Sequence, residues 1–312
     1  MAGAAYGNVS IVVGDSNPDL CDAIRETFRE EGLNNVETCT TAADLLETIK
    51  GKSLDLIVVD HSLTTPDTQE LIQKIRRNAI TENPFVAIIA TVHAEAPAST
   101  KSLWDAGVDH VVAKPLTVDA LFRRVSKLAK KREPFIVSPC YIGPSRRQAA
   151  RPNARPSITR QTPNTLRGRL IDRMDEDEIA RMVALAAARL GDDRFDSTAA
   201  EVEFLVTGII AYFDNPNSPE EVKLRLQRLI AVSEAWRDDH DGAARDVIFE
   251  LTGMLVVLAK RILDTSLTSR VVEVELLAQL AQAVRASLDI DIRETKSFEE
   301  ITRIVARFTQ GA

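Results

Sequence analysis

The feature that most constrains this 312-residue chain is an alternation of two apolar periods over residues 9–131. Short β-branched runs, each long enough for one strand, alternate with segments whose apolar residues recur at helical spacing. The predicted strands are Val9–Val13, Asn35–Cys39, Leu54–Val59, Phe85–Ala90 and Val108–Ala113. The predicted helices are Asp22–Glu31, Ala42–Ile49, Gln69–Arg76, Ser99–Ala106 and Val118–Lys131.

Most of these strands lack polar alternation, which indicates a parallel sheet covered by helices on both faces. The predicted fold is therefore α/β, a doubly wound five-stranded parallel sheet of the flavodoxin type. In such a fold the ligand site lies beyond the carboxyl ends of the strands.

Composition excludes several classes of protein. Hydrophobic residues make up 45% of the chain and charged residues 27%, which is typical of a globular protein. The longest apolar run, Met182–Ala188, is too short to span a bilayer, so we expect no membrane insertion. Three cysteines without CxxC spacing and the lack of a secretory signal predict a cytoplasmic protein. The net charge of −7 does not favour nucleic-acid binding.

Residues 134–171 differ in composition, with six Pro and seven Arg but no Lys, Asp or Glu. We interpret residues 133–171 as an extended basic linker without its own core, which docks on acidic domain faces. An alternative is that this segment binds nucleic acid or anionic lipid.

From residue 172 onward the pattern is helical, and residues 172–312 are predicted to form an all-α bundle. Ser218 with Glu221, and Ser297 with Glu300, are capping boxes that open two of the helices. The predicted helices are Asp175–Leu190, Ala199–Phe213, Pro219–Trp236, Ala243–Leu263, Val271–Leu288 and Phe298–Phe308.

Polar residues follow four of the five predicted strands. They are Asp15 and Ser16, Asp60, Thr91, and Lys114 with Pro115. Carboxyl ends of neighbouring parallel strands meet at one sheet edge, so these side chains should share a crevice. Two carboxylates, a hydroxyl and an ammonium form a set of groups that can accept and bind a phosphoryl group. Asp60 can be the nucleophile, Lys114 and Thr91 can contact phosphoryl oxygens, and a divalent metal can neutralise the remaining negative charge.

Residues 8–132 resemble the receiver domain of bacterial two-component response regulators. The matching stretches are IVVGDSNPDL, DLIVVDHSL, VAIIAT and AGVDHVVAKPL. The resemblance implies that Asp60 accepts a phosphoryl group from a sensor histidine kinase, with Mg²⁺ as cofactor. It further implies that Asp15, Asp60 and the backbone carbonyl of Ser62 hold the metal, that Thr91 and Lys114 sense the phosphoryl group, and that the Lys114–Pro115 bond is cis.

Three features depart from the family pattern. Ser16 replaces one of two adjacent acids, which should weaken the metal site. Val111 replaces an aromatic residue, and Leu63–Thr64 replaces a Met-Pro pair. A degenerate receiver that acts by binding alone is therefore an alternative. The stretch PFIVSPCYIGPSRR also resembles one found after some proteobacterial receivers, with Ser145 in place of Asp.

The activity of the helical half is open on sequence grounds. His240–Asp241 resembles the metal-binding pair of phosphohydrolases, but no further His lies in this half to complete such a site. His240 also lies in a polar turn, whereas a histidine phosphotransfer module needs an exposed His within a helix. A basic cluster, Lys223, Arg225 and Arg228, is offset by acids, so DNA binding is a second choice. Apolar residues surround most of the predicted helix Ala243–Leu263, which is typical of a helix buried in a core or a dimer interface. We therefore favour a non-enzymatic module for protein interaction and homodimerisation, which acts on an unidentified downstream protein.

Overall fold

The computed structural model describes residues 9–63, 67–93, 97–146, 157–214, 219–237, 245–264 and 271–287. The chain divides into two compact units. The first comprises Met1–Val137, Tyr141–Ala149 and Thr159–Gly191, and the second Ser138–Cys140, Ala150–Ile158 and Asp192–Ala312. No helix in the described parts of the chain is long and apolar enough to cross a bilayer.

The first unit contains the predicted five-stranded sheet. Its strands are β1 (Ile11–Gly14), β2 (Val36–Cys39), β3 (Leu56–Asp60), β4 (Ala87–His93) and β5 (His110–Lys114). All neighbouring pairs are parallel, and the strand order is β2-β1-β3-β4-β5. This order is that of the flavodoxin-like doubly wound fold, so the predicted architecture is confirmed.

Helices cover both faces of the sheet. They are α1 (Pro18–Glu30), α2 (Ala42–Ile49), α3 (Thr68–Arg76), α4 (Pro97–Ala106) and α5 (Val118–Lys130). Successive side chains of β3 point to opposite faces, so Ile57 packs with α2 and α3 while Val58 packs with α1 and α5. Two apolar layers therefore enclose the sheet, which is why its strands lack polar alternation.

The start of α1 was predicted four residues too late. The helix begins at Pro18 because the Asn17 side chain accepts hydrogen bonds from the backbone N–H groups of Asp19 and Leu20. Asn at the cap followed by Pro at the first helical position is a strong start signal. The cap residue Asn17 thus lies two residues after Asp15, and α1 begins at the next residue, Pro18.

The prediction of an extended linker after α5 is wrong for the described residues. The segment forms β6 (Phe135–Ser138), β7 (Tyr141–Pro144) and β8 (Ile158–Arg160), which make a three-stranded sheet in the order β7-β6-β8. A short helix α6 (Thr165–Arg167) then continues into a π-helix, Gly168–Asp172.

Several apolar residues of this segment are buried, although Ile171 is 45% exposed. Phe135 is fully buried, and Leu166 joins the apolar layer beside α5. Two guanidinium groups lie over the Phe135 ring, with Arg76 Cζ 5.1 Å and Arg132 Cζ 4.8 Å from its centroid.

Arg76 and Arg132 meet at the buried Asp109. Arg76 Nη2 donates to Asp109 Oδ2 at 2.9 Å, and Arg132 Nε donates to Asp109 Oδ1 at 2.6 Å. Arg76 also donates to the carbonyls of Pro84, Val86 and Gly107. Burial lowers the pKa of the Arg76 guanidinium to about 10, while its ion pair with Asp109 opposes this shift. The network ties α3 and the end of α5 to the start of β5.

The C-terminal region is helical, as predicted. Its helices in the described residues are α7 (Glu176–Asp214), α8 (Pro219–Arg237), α9 (Arg245–Asp264) and α10 (Val271–Ala286). Within the second unit they share one apolar core, formed by residues such as Val202, Leu226, Leu255 and Leu277. The predicted helix Phe298–Phe308, together with Ser218 and His240, lies outside the described residues.

One helix replaces two predicted ones. The segments Asp175–Leu190 and Ala199–Phe213 are parts of α7, which runs for 39 residues. The predicted break between Leu190 and Ala199 does not occur, because the single Gly191 costs a helix only about 1 kcal/mol and no Pro follows it. The division between the two compact units falls inside α7, after Gly191.

Candidate functional site

Four strand ends bring the predicted polar residues to the same edge of the sheet. Asp15 follows β1, Asp60 ends β3, Thr91 lies in β4 and Lys114 ends β5. The register pairs Asp60 with Thr91 across β3 and β4. Because the strands are parallel and in register, residues far apart in sequence converge at one place.

The four side chains are in contact. Lys114 Nζ lies 2.7 Å from Asp15 Oδ2 and 3.1 Å from Asp60 Oδ2. Thr91 Oγ1 donates to Asp60 Oδ1 at 3.2 Å. Asp15, Asp60 and Thr91 are each no more than 3% exposed, so little solvent reaches the carboxylates. The convergence predicted from the sequence is present.

Two carboxylates share one ammonium, so the cluster carries one uncompensated negative charge when all three groups are ionised. Burial lowers the pKa of the Lys114 ammonium, but its hydrogen bonds to Asp15 and Asp60 outweigh this and raise the pKa above its ordinary value. Lys114 is therefore charged at neutral pH. A cationic or hydrogen-bonding group entering beside Asp15 would meet net negative charge.

Two hydroxyl groups that the sequence analysis did not assign also act at this site. The Ser62 hydroxyl donates to Asp60 Oδ2, although the sequence analysis considered only the Ser62 carbonyl. Thr68 Oγ1 donates to the carbonyls of Leu63 at 3.0 Å and Asp60 at 3.3 Å. A Ser two positions after an Asp is a signal for such local hydrogen bonding. These contacts fix the chain that leaves β3.

The donor set fits a magnesium ion with weak protein ligation. Asp15 and Asp60 offer carboxylate oxygens, and the Ser62 carbonyl is a hard oxygen of the kind Mg²⁺ accepts. The Ser16 side chain is exposed and carries no charge. Within the described ranges no group of three or more His, Cys, Asp and Glu could hold a metal. Mg²⁺ commonly keeps several waters and binds through one or two carboxylates, which this set provides.

The structure also places the Lys114–Pro115 bond and two of the positions that depart from the family pattern. The Lys114–Pro115 peptide bond is cis, as predicted. Val111, in place of an aromatic residue, is partly buried beside the apolar layer on the α4 face. Leu63 is buried, while Thr64 lies outside the described residues.

Residues 11–126 match the family model for the response regulator receiver domain. A curated relative, the transcriptional regulatory protein TcrA of Mycobacterium tuberculosis, is 25% identical over 132 residues, which are 41% of this chain and 50% of TcrA. The chain thus spans about half the length of the curated relatives it matches.

Solved structures similar to this chain include two receiver proteins. The receiver domain of the Francisella response regulator 1452 is 21% identical, covers 38% of this chain and 95% of its own, and gives a TM-score of 0.35. A two-component response regulator from Clostridium difficile is 22% identical, covers 40% of this chain and 98% of its own, and gives a TM-score of 0.36.

Proposed function

Residues 11–126 of this chain are a response regulator receiver domain, and on this premise we propose that Asp60 accepts a phosphoryl group from a sensor histidine kinase. The observation that carries the proposal is the joint contact of Lys114 and Thr91 with the Asp60 carboxylate, at 3.1 and 3.2 Å. The ammonium and the hydroxyl already donate to this carboxylate. After transfer to Asp60, both groups are close enough to donate to the phosphoryl oxygens instead.

In the proposed step an oxygen of the Asp60 carboxylate attacks phosphorus. The P–N bond to the donor histidine breaks, its electron pair leaves with the imidazole, and an acyl phosphate remains on Asp60. Lys114 and Thr91 then donate to phosphoryl oxygens, and Lys114 balances part of the added negative charge. Mg²⁺, held by Asp15, Asp60 and the Ser62 carbonyl, would neutralise further phosphoryl charge.

The test is uptake from a small phosphodonor with Mg²⁺, read by intact mass. We expect wild type to gain one phosphoryl group and Asp60→Asn to gain none while keeping its circular dichroism spectrum. Absence of uptake in wild type, under conditions that label an ordinary receiver, would support a degenerate receiver instead. Uptake by the Asp60→Asn variant would place the acceptor elsewhere.

For the helical region we propose a module for protein interaction and homodimerisation. Its support is the pattern of α8 and α9, which bury Leu226 and Leu255 completely yet leave Leu224 65% and Val257 50% exposed. Exposed large apolar side chains on helices are candidates for a partner contact. The three free cysteines fit a reducing compartment, and the proposal includes a cytoplasmic location and an output without enzymatic activity.

The oligomeric mass of the full chain tests this part of the proposal. Light scattering with and without beryllofluoride, a phosphoryl mimic, should show a change between monomer and dimer. An unchanged mass across protein concentrations would argue against homodimerisation. The variants Val257→Glu and Leu224→Glu should lower the dimer fraction if these side chains lie in the interface.

A second candidate output is transcriptional regulation, which the name of the relative TcrA favours. This candidate requires that the chain bind DNA through phosphate contacts. Its affinity must then fall steeply with salt, because cations are released when basic side chains neutralise phosphates. A gel-shift series at increasing salt distinguishes the two outputs, since a module for protein interaction shows no such salt-dependent shift.

A further inference from the structure

A single arginine in the π-helix joins two elements of the first unit that are distant in sequence. Arg169 Nε lies 2.8 Å from Oδ2 of Asp55, which directly precedes β3. Arg169 Nη1 lies 2.9 Å from Oε2 of Glu176, and Nη2 donates to Glu176 Oε1 at 3.0 Å. Glu176 is the first residue of α7. One guanidinium thus contacts both the strand that ends at Asp60 and the helix that leads to the second unit.

The two halves of this contact differ in exposure. The side chains of Asp55 and Arg169 are 1% and 4% exposed, whereas that of Glu176 is 64% exposed. Asp55 Oδ2 also accepts from the Ser10 backbone N–H at 2.9 Å. A buried carboxylate that loses its cation remains as an uncompensated charge, so removal of Arg169 is costly. The exposed half should contribute far less.

Neighbouring contacts hold the rest of the segment against the receiver fold. We name residues 163–175 the arm. Asn164 Nδ2 donates to the carbonyl of Leu128 at 2.7 Å, and Arg167 Nη1 donates to the carbonyl of Lys130 at 3.3 Å. Leu166 is buried in the same apolar layer as Leu128. The arm therefore lies along the end of α5, on the side of the sheet that α1 and α5 cover.

The arm in turn packs closely on the start of α7. A Cβ atom added at Gly168 would lie 2.6 Å from Ile179 Cδ1, so a larger residue at this position would displace the Ile179 side chain. Ile179 is completely buried. Asp175 and Glu178 exchange hydrogen bonds between side chain and backbone N–H, which forms a capping box at the helix start.

We propose that Arg169 is a latch that fixes the start of α7 to the receiver domain. While Arg169 contacts both Asp55 and Glu176, the first turns of α7 stay packed on the receiver fold. With the latch open, the arm and these turns are free to separate from it. The device requires no phosphorylation and therefore goes beyond the proposed function of Asp60.

Hydrogen exchange on the full chain, without phosphodonor, tests the latch. We expect Arg169→Met to raise amide exchange in residues 164–183 about tenfold or more, because the arm opens more often. The control is Lys74→Met, which removes an exposed ion pair outside the arm, between Lys74 and Glu70 on α3 at 2.7 Å. This control should leave exchange in α7 unchanged. Equal exchange in the two variants would overturn the proposal.

A second pair of variants keeps the test valid if Arg169→Met loses protection throughout the sheet. Glu176→Gln removes only the exposed half of the latch and leaves the buried pair intact. We expect faster exchange confined to residues 174–183, compared with Asp177→Asn, which removes the neighbouring exposed acid. Identical exchange for Glu176→Gln and Asp177→Asn would contradict a latch that acts on α7.

Discussion

Lys114 Nζ lies 3.1 Å from Asp60 Oδ2 and closer still, at 2.7 Å, to Asp15 Oδ2. The ammonium is therefore shared between the acceptor proposed here and the carboxylate proposed for the metal. Attachment of a phosphoryl group to Asp60 adds negative charge beside this ammonium, so Lys114 would gain a stronger partner. The arrangement links the chemistry of Asp60 to the position of the last residue of β5.

Removal of the ammonium should slow phosphoryl uptake. We predict that Lys114→Met lowers the rate of uptake from a small phosphodonor about a hundredfold, because one preorganised donor to the phosphoryl group is lost. The control Lys131→Met changes a lysine whose side chain is 82% exposed and should leave the rate unchanged. Equal rates for the two variants would remove Lys114 from the mechanism.

Restoration of the second acid should strengthen the metal site. We predict that Ser16→Asp lowers the Mg²⁺ concentration for half-maximal uptake about tenfold, because ligand charge raises affinity for hard cations. Asn34→Asp adds the same charge at the opposite edge of the sheet, where Asn34 is exposed, and should have no effect. A magnesium titration of labelling distinguishes the variants; no change for Ser16→Asp would place the metal elsewhere.

The Asp109 network predicts a specific dependence of stability on pH. Burial raises the pKa of the Asp109 carboxyl, but Arg132 and Arg76 outweigh burial and hold the pKa below 3.8. An acid with a lowered pKa in the folded state stabilises the fold above its unfolded pKa, and this stabilisation is lost as pH falls below 3.8. Urea unfolding between about pH 5 and pH 3 should therefore show a falling free energy of unfolding.

The variant Asp109→Asn isolates this contribution. It should lower the free energy of unfolding at pH 7 by about 3–5 kcal/mol, because Arg76 is left buried without a counter-charge. Its decline between pH 5 and pH 3 should also be shallower than that of wild type, since one titrating carboxylate is missing. Parallel pH curves for the two proteins would mean that Asp109 is not held ionised by the arginines.

Truncation of Leu166 tests whether the arm is part of the receiver core. We predict that Leu166→Ala lowers the free energy of unfolding by about 2–5 kcal/mol, the range for a buried leucine. The control Leu185→Ala shortens a leucine that is 58% exposed and should change it by less than about 0.5 kcal/mol. Denaturant unfolding measures both; equal values would mean that the arm contributes no core.

The site was predictable from sequence because it depends on strand register. Once Asp60 and Lys114 were placed at strand ends, parallel pairing required them to meet, whatever the intervening chain did. The hydroxyl of Ser62 was missed because its contact depends on the path of the loop after β3. The Thr68 hydrogen bonds hold the chain at Asp60 and Leu63, and they leave no periodic signal in the sequence.

The arginine contacts were not predictable from sequence for a different reason. Arg76, Arg132 and Arg169 look like ordinary solvated residues, because an arginine's partner is set by three-dimensional packing and not by spacing. Asp55 and Asp109 fall inside predicted strands, and the sequence does not show that these acids are buried beside arginines. The continuous α7 was also missed, since Gly191 and the acids after it resemble a turn but only weaken a helix.

Locating the modified residue tests the central claim most directly. After labelling with a small phosphodonor and Mg²⁺, reduction with borohydride converts an acyl phosphate on aspartate to homoserine, and peptide mass mapping shows where it lies. We predict homoserine at position 60 alone and no conversion at Asp15 or Asp55. Conversion at another aspartate, with residue 60 unchanged in a fully labelled sample, would contradict the assignment of Asp60 as the acceptor.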